Sequence, residues 1–302
     1  MEFLYMLEKL RTPWLTKTML AITELGGETA FLVLALIVFW CVDKRRGYYL
    51  MVVGFMGTVC NQCLKLFCRV PRPWVRDPNF HAVAEAIPEA TGYSFPSGHS
   101  QCAVGTFGSL ALTAKKTWTR VLCMTLVVLV PFSRMYLGVH TPADVMVGFA
   151  ISLGLALGLR PLVYREDGMK WIIPAMVMLA GAYLVYVSVH SFPADVDAHN
   201  LESGRESAAT LFGCVTAVAA VYPVEKKWVN FPNGAIWWGQ ILKVVGGLLV
   251  VLAVKEGLKI PLEAALPELT ARAIRYFLVV IAAGLLWPAT FRWFEKLGRK
   301  NG

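Results

Sequence analysis

KLFCRVPRP at 65–73, PSGH at 96–99 and SRMYLGVHTPAD at 133–144 are three short polar stretches in a chain that is otherwise mostly apolar. Between them they hold Lys65, Arg72, Ser97, His99, Arg134, His140 and Asp144. Fixed cations, histidines and a carboxylate are costly in a low-dielectric setting, so their retention there points to function. Around them lie 302 residues, 57% of them hydrophobic and 16% charged, with a mean hydropathy of +0.56. A soluble domain cannot hide that much apolar surface. The composition therefore predicts an all-α integral membrane protein.

Nine apolar spans are predicted, at roughly 28–42, 48–67, 97–113, 120–137, 142–160, 171–189, 208–223, 235–254 and 273–291. The net charge of +9 comes in short clusters between these runs, which fits membrane topology and argues against a nucleic-acid partner. Lys44, Arg45 and Arg46, then Lys115, Lys116 and Arg120, then Arg160, Arg165 and Lys170, then Lys226 and Lys227 all fall on one side. The tail adds Arg292, Lys296, Arg299 and Lys300. That side is predicted to be cytoplasmic. The opposite loops are richer in acid, as in PADVDAHNLESGRES at 193–207, and the N-terminus and all three motifs fall with them, outside.

Before the first span, Phe3, Leu7, Leu10 and Trp14 recur at helical spacing opposite Glu8 and Lys9. Residues 1–27 therefore read as an amphipathic interfacial segment, with packing onto the bundle as the alternative. The opening MEFLYMLEKLRTPW has no cationic region before an apolar core and does not read as a cleavable leader. The seven cysteines are an odd number, mostly within apolar runs, and do not form a disulfide framework. Cys60 and Cys63 make a C-x-x-C inside a predicted span and read as small packing residues.

In the third motif, Thr141 and Pro142 make a helix start: a capping hydroxyl, then proline in the first turn. His140 precedes that helix and Asp144 lies within its first turn. An acid one turn on can accept one imidazole N–H, fix the tautomer and leave the other nitrogen free to attack, which makes His140 the candidate nucleophile. In the second motif Pro96 and Ser97 open a helix, whose N-terminus suits a phosphate through free N–H groups and the dipole. His99 on its first turn can protonate a leaving alcohol. Lys65, Arg72 and Arg134 supply positive charge, and guanidinium forks match phosphate oxygens in pairs. The paired carboxylates of a magnesium site are missing from the motifs, so no metal and no cofactor is expected.

Together these residues resemble the type-2 phosphatidic acid phosphatase superfamily. Its pattern is a lysine, six residues and Arg-Pro; then Pro-Ser-Gly-His; then Ser-Arg, five residues, His, three residues and Asp. Lys65 with Arg72-Pro73, Pro96-Ser97-Gly98-His99, and Ser133-Arg134 with His140 and Asp144 match it at every position. The resemblance implies a phosphohistidine on His140, His99 as acid and then base, and a phosphate cradle of Lys65, Arg72, Arg134, Ser97 and the Gly98 N–H. It also implies metal independence and a six-helix phosphatase core over 28–190. Residues 191–302 would then be an outer loop and a three-helix extension. The nine-span layout is similar to the glucose-6-phosphatase and sphingosine-1-phosphate phosphatase branches.

Several features lie outside the motifs. Lys243, with Gln240 one turn before it, sits near the middle of the eighth span and reads as snorkelling or structurally hydrogen-bonded. Asp195, Asp197 and His199 read as a solvated acidic loop rather than a metal site. His81, Glu85 and Glu89 belong to the long outer loop at 69–95, a candidate substrate mouth. Gly154 and Gly158 form a helix-packing pair. The expected activity is phosphomonoester hydrolysis at the extracytoplasmic face. The substrate would be a lipid phosphate or a polyprenyl phosphate or diphosphate. A soluble sugar phosphate or lipid phosphotransfer is the alternative, and a non-catalytic lipid transporter a further one. A bacterial plasma membrane is the expected location; the RKNG terminus faintly suggests the endoplasmic reticulum instead, with a luminal site.

Overall fold

The structure, a computed structural model, describes residues 1–297. Arg299, Lys300 and the RKNG terminus lie outside the described residues. The described residues run through fifteen α-helices, and no strand occurs among them. They are α1 Glu2–Lys9, α2 Pro13–Glu24, α3 Glu28–Ile37, α4 Lys44–Cys68, α5 Pro73–Arg76, α6 Gly98–Ala103, α7 Ser109–Thr113 and α8 Thr117–Tyr136. Then follow α9 Pro142–Tyr164, α10 Met169–Val189, α11 Ala198–Val224, α12 Trp237–Gly257, α13 Lys259–Ala265, α14 Glu268–Ile281 and α15 Phe291–Lys296.

Against the nine predicted spans, six described helical runs are long and apolar enough to cross a membrane: Lys44–Arg76, Thr117–Tyr136, Pro142–Tyr164, Met169–Val189, Ala198–Val229 and Glu268–Lys296. A seventh is the pair Pro13–Glu24 and Glu28–Val42, bent by 52°. The predicted span at 97–113 is a helical run broken by a π-helical turn, Val104–Gly108, and is shorter than the ~20 residues of a typical span. Residues 1–25 form two helices. Thr12 caps the second by accepting the Leu15 N–H, and Pro13 fills the first position, where its missing donor costs nothing.

The chain divides into two compact units. The first comprises Met1–Leu32, Val52–Pro161 and Val189–Gly204 and holds all three motifs. Within it α2 and α6 both pack on α8, and Met19 joins Tyr136, Leu137, Val139 and Ala86 in one buried apolar cluster. Thus the N-terminal helices are packed onto the segment that leads into His140. Helix α9 passes so close to the second motif that a Cβ on Gly148 would lie 2.5 Å from the Ser97 carbonyl oxygen.

The second unit comprises Val33–Met51, Leu162–Ser188 and the chain from Arg205 onward. Its buried centre is Lys243 on α12, which has no exposed surface. Its ammonium donates to the carbonyls of Pro232, Asn233 and Gly234 at 3.2, 3.1 and 3.3 Å and lies 4.6 Å from the Phe291 ring centre. Trp287 Nε1 donates to the Lys243 carbonyl, and Trp40 Nε1 to that of Ala283. The structural reading of Lys243 stands, but its partners are backbone carbonyls of a neighbouring loop. Gln240 reaches that loop too, donating from Nε2 to the Asn233 carbonyl at 2.8 Å.

Candidate active site

The first motif is shaped by two left-handed backbone positions. Arg69, at φ 52°, follows the last turn of α4 and turns the chain so that Arg72 comes back toward Lys65. Gly92, at φ +68°, bends the loop so that the Thr91 carbonyl meets both cations and its own carbonyl meets Arg72. Lys65 Nζ donates to Thr91 O at 3.1 Å. Arg72 donates from Nη2 to Thr91 O at 2.7 Å and from Nε to Gly92 O at 3.1 Å. Its Nη1 reaches the third motif, donating to Val139 O at 3.1 Å and to His140 Nε2 at 2.9 Å. A guanidinium only donates, so His140 Nε2 is the acceptor and the imidazole proton sits on Nδ1.

Nδ1 lies 3.6 Å from Asp144 Oδ2. That is ion-pair distance, longer than the hydrogen bond expected from the spacing. The carboxylate is held from elsewhere: Oδ2 accepts from Ser94 Oγ at 2.6 Å and from the Thr141 N–H at 2.7 Å. His140 is almost fully buried, and burial pushes its pKa well below the ordinary imidazole value. Arg72, Arg134, Lys65 and His99 press it further in the same direction.

Ser97 caps the second motif's helix, accepting from the Ser100 N–H at 3.3 Å and the Ser100 hydroxyl at 2.9 Å. Gly98 occupies the first turn, where the helix leaves its own N–H donors unused. The second and third motifs are tied by the Ser97 N–H, which donates to Asp144 O at 2.9 Å. Arg134 is 1% exposed, and its Nη1 donates to Thr23 Oγ1 at 2.9 Å. Its Nε and Nη2 are buried without a partner. Two unmet guanidinium donors in a cationic pocket are a place for an anion's oxygens. His99 Nε2 faces Glu89 Oε2 at 3.8 Å.

All eight predicted site residues therefore belong to one unit, and direct contacts link the first motif to the third and the third to the second. Residues outside the motifs complete the arrangement: Ser94, Thr23, and the carbonyls of Thr91 and Gly92. None carries a spacing signal; they meet the motifs only through tertiary packing. His81 is turned away, its Nδ1 lying 3.4 Å from Glu8 Oε1. No cluster of three metal-ligating side chains occurs among the described residues. Asp197 caps α11 instead, accepting the Asn200 N–H at 2.8 Å. With Asp195 and His199 it lines a cavity of about 640 Å3, shared with Arg69, Arg72 and Trp74.

Comparison with known proteins points the same way. The PAP2 superfamily model matches residues 46–168, and the model of the PAP2 superfamily phosphatase transmembrane extension matches residues 207–300. Sphingosine-1-phosphate phosphatase 1 of Mus musculus is 25% identical over 277 residues, covering 84% of this chain and 62% of the relative. Phosphatidylglycerophosphatase B of Bacillus subtilis is 32% identical over 161 residues, 49% of this chain and 74% of the relative. An undecaprenyl-diphosphatase of Sulfolobus acidocaldarius is 30% identical over 135 residues, 44% of this chain and 63% of the relative. The chain thus spans under two thirds of the mouse and archaeal relatives. No solved structure matches it significantly. Motif geometry, both family matches and the apolar helices long enough to cross a membrane agree: the chain is an integral membrane protein of the PAP2 superfamily.

Proposed function

We propose that this protein is a membrane phosphatase that hydrolyses a lipid phosphate through a phosphohistidine. The observation that carries the reading is the state of His140: Arg72 holds the lone pair of Nε2, Nδ1–H faces Asp144, and Arg134 offers two unmet donors nearby. A phosphate bound by Arg72, Arg134, Lys65, Ser97 and the Gly98 N–H takes over the guanidinium donors and leaves Nε2 facing phosphorus. Nε2 attacks, the bond from phosphorus to the bridging oxygen breaks, and His99 gives that oxygen its proton. Water then attacks the phosphohistidine, His99 takes the water's proton, and the P–N bond breaks to release phosphate. Asp144 orients the imidazole and offsets its developing charge. The charge on the phosphate is met by cations and helix-start donors, so the reaction needs no metal.

A lipid or polyprenyl phosphate is favoured as substrate by the named activities of the relatives and by the cavity beside Arg72, whose lining mixes Trp74, Val75 and Ile87 with charge. The proposed topology has nine spans, with α12 and the run 98–113 among them, the N-terminus and site outside, and the basic loops in the cytoplasm. Phosphate release from a panel of lipid, polyprenyl and sugar phosphates tests the substrate class. Turnover confined to sugar phosphates would replace the lipid reading with the sugar-phosphate one. Retention of full activity by His140→Ala would end the phosphohistidine reading.

A further inference from the structure

Two carboxylates that belong to none of the motifs stand at the site. Glu89, in the loop after α5, has Oε2 3.8 Å from His99 Nε2. Glu24, at the end of α2, lies in hydrogen-bond contact with Glu89, and both act electrostatically on Arg134. The neighbouring Thr23 accepts from Arg134 Nη1. The approach is set by the 52° bend between α2 and α3, where a Cβ on Gly26 would lie 3.0 Å from the His99 carbonyl oxygen. The end of α2 therefore touches both the proton donor and a phosphate ligand.

We propose that Glu24 and Glu89 are a positioning pair for His99, acting on its proton rather than on the phosphate. The inference rests on the phosphatase reading above. A proton on Glu24 lets its carboxyl donate a hydrogen bond to Glu89, whose carboxylate then faces His99. The charged groups facing His99 are otherwise positive: Lys65, Arg72 and Arg134, with the neutral imidazole of His140 beside them. To act as an acid His99 must carry two ring protons, and those cations oppose the second. Glu89, at ion-pair distance from Nε2, offsets them and faces the Nε2–H, leaving Nδ1–H for the bridging oxygen of the substrate. When that oxygen departs it takes the Nδ1 proton, and the water of the second step restores it. Glu24 acts through Glu89, holding its carboxylate in place with that hydrogen bond.

Leaving-group dependence tests this, because an alkoxide needs the proton and an activated phenolate does not. Turnover of an alkyl phosphate and of p-nitrophenyl phosphate is measured for the full chain and for Glu89→Gln, Glu24→Gln, the double variant and His99→Asn. In Glu89→Gln the ratio of alkyl to aryl turnover falls about tenfold or more. The basic limb of kcat/KM also moves to lower pH, since losing a neighbouring negative charge weakens proton binding at His99. In Glu24→Gln the ratio falls less, and the double variant falls no further than Glu89→Gln. A purely structural role would lower both turnovers together. An unchanged ratio in Glu89→Gln beside a fallen one in His99→Asn overturns the pair's role and leaves the phosphatase reading intact. An unchanged ratio in His99→Asn removes His99 as the acid, and the pair's role with it. Independent, multiplying losses from Glu24 and Glu89 overturn the claim that one acts through the other.

Discussion

Arg134 and His140 are two residues whose neighbours say what they await. Arg134 uses one of its donors on Thr23 and keeps Nε and Nη2 unmet. Lysine would preserve the charge and lose the fork, so Arg134→Lys should lower kcat/KM about 10²-fold, read by phosphate-release kinetics. Thr23→Val removes only the anchor and should cost less, with the loss mainly in kcat if Arg134 is mispositioned in the transition state. For His140, depression of the pKa favours the neutral ring. His140, the proposed nucleophile, therefore stays deprotonated as pH falls through about 6.5, the ordinary imidazole value. A pH profile of kcat/KM should place its acid limb below that value, and an acid limb above it would contradict the burial and the cations around His140. At this scale the gathering of the motif residues into one unit was legible, because groups set at helix starts keep fixed spacing. Ser94, Thr23 and Glu24 were not legible. Serine, threonine and glutamate are common, and Thr23 meets Arg134 across a separation of 111 residues that only packing can close.

Among the elements, α9 and the bent pair α2–α3 hold the site in shape. The contact of Gly148 with the Ser97 carbonyl sets how closely α9 can lie against the second motif. Gly148→Ala places a methyl against backbone, which cannot swing aside. It should cost about 1–3 kcal/mol of stability and reduce activity by displacing Ser97, seen as a lower thermal midpoint in detergent together with a raised KM. The long apolar helices were legible from hydropathy alone. The bend was not: Leu25-Gly26-Gly27 follows an amphipathic stretch, and a chain of that pattern reads as a surface helix followed by a separate span. The π-helical turn in 98–113 was equally hidden, since its register depends on neighbouring helices rather than on local composition.

For the molecule as a whole, the two units place their buried charge differently. The unit with the motifs keeps in Arg134 a buried cation with two unmet donors. In the other unit the most deeply buried cation is closed in, with Lys243 bound to three carbonyls and an aromatic ring. Lys243→Met leaves those carbonyls without a donor, at about 1–3 kcal/mol for each that water does not reach. It should lower the thermal midpoint by more than any of the site substitutions, while phosphate release measured well below that midpoint persists. Loss of activity with an unchanged midpoint would instead place Lys243 in the chemistry. Three inward carbonyls and a π-face form the kind of cage in which channels and transporters seat a potassium or ammonium ion. Here the guest is covalently leashed to α12. The loop at 232–234 therefore keeps its fold whatever monovalent salt surrounds it, and cutting the leash would make the protein's melting depend on which alkali metal is in the buffer.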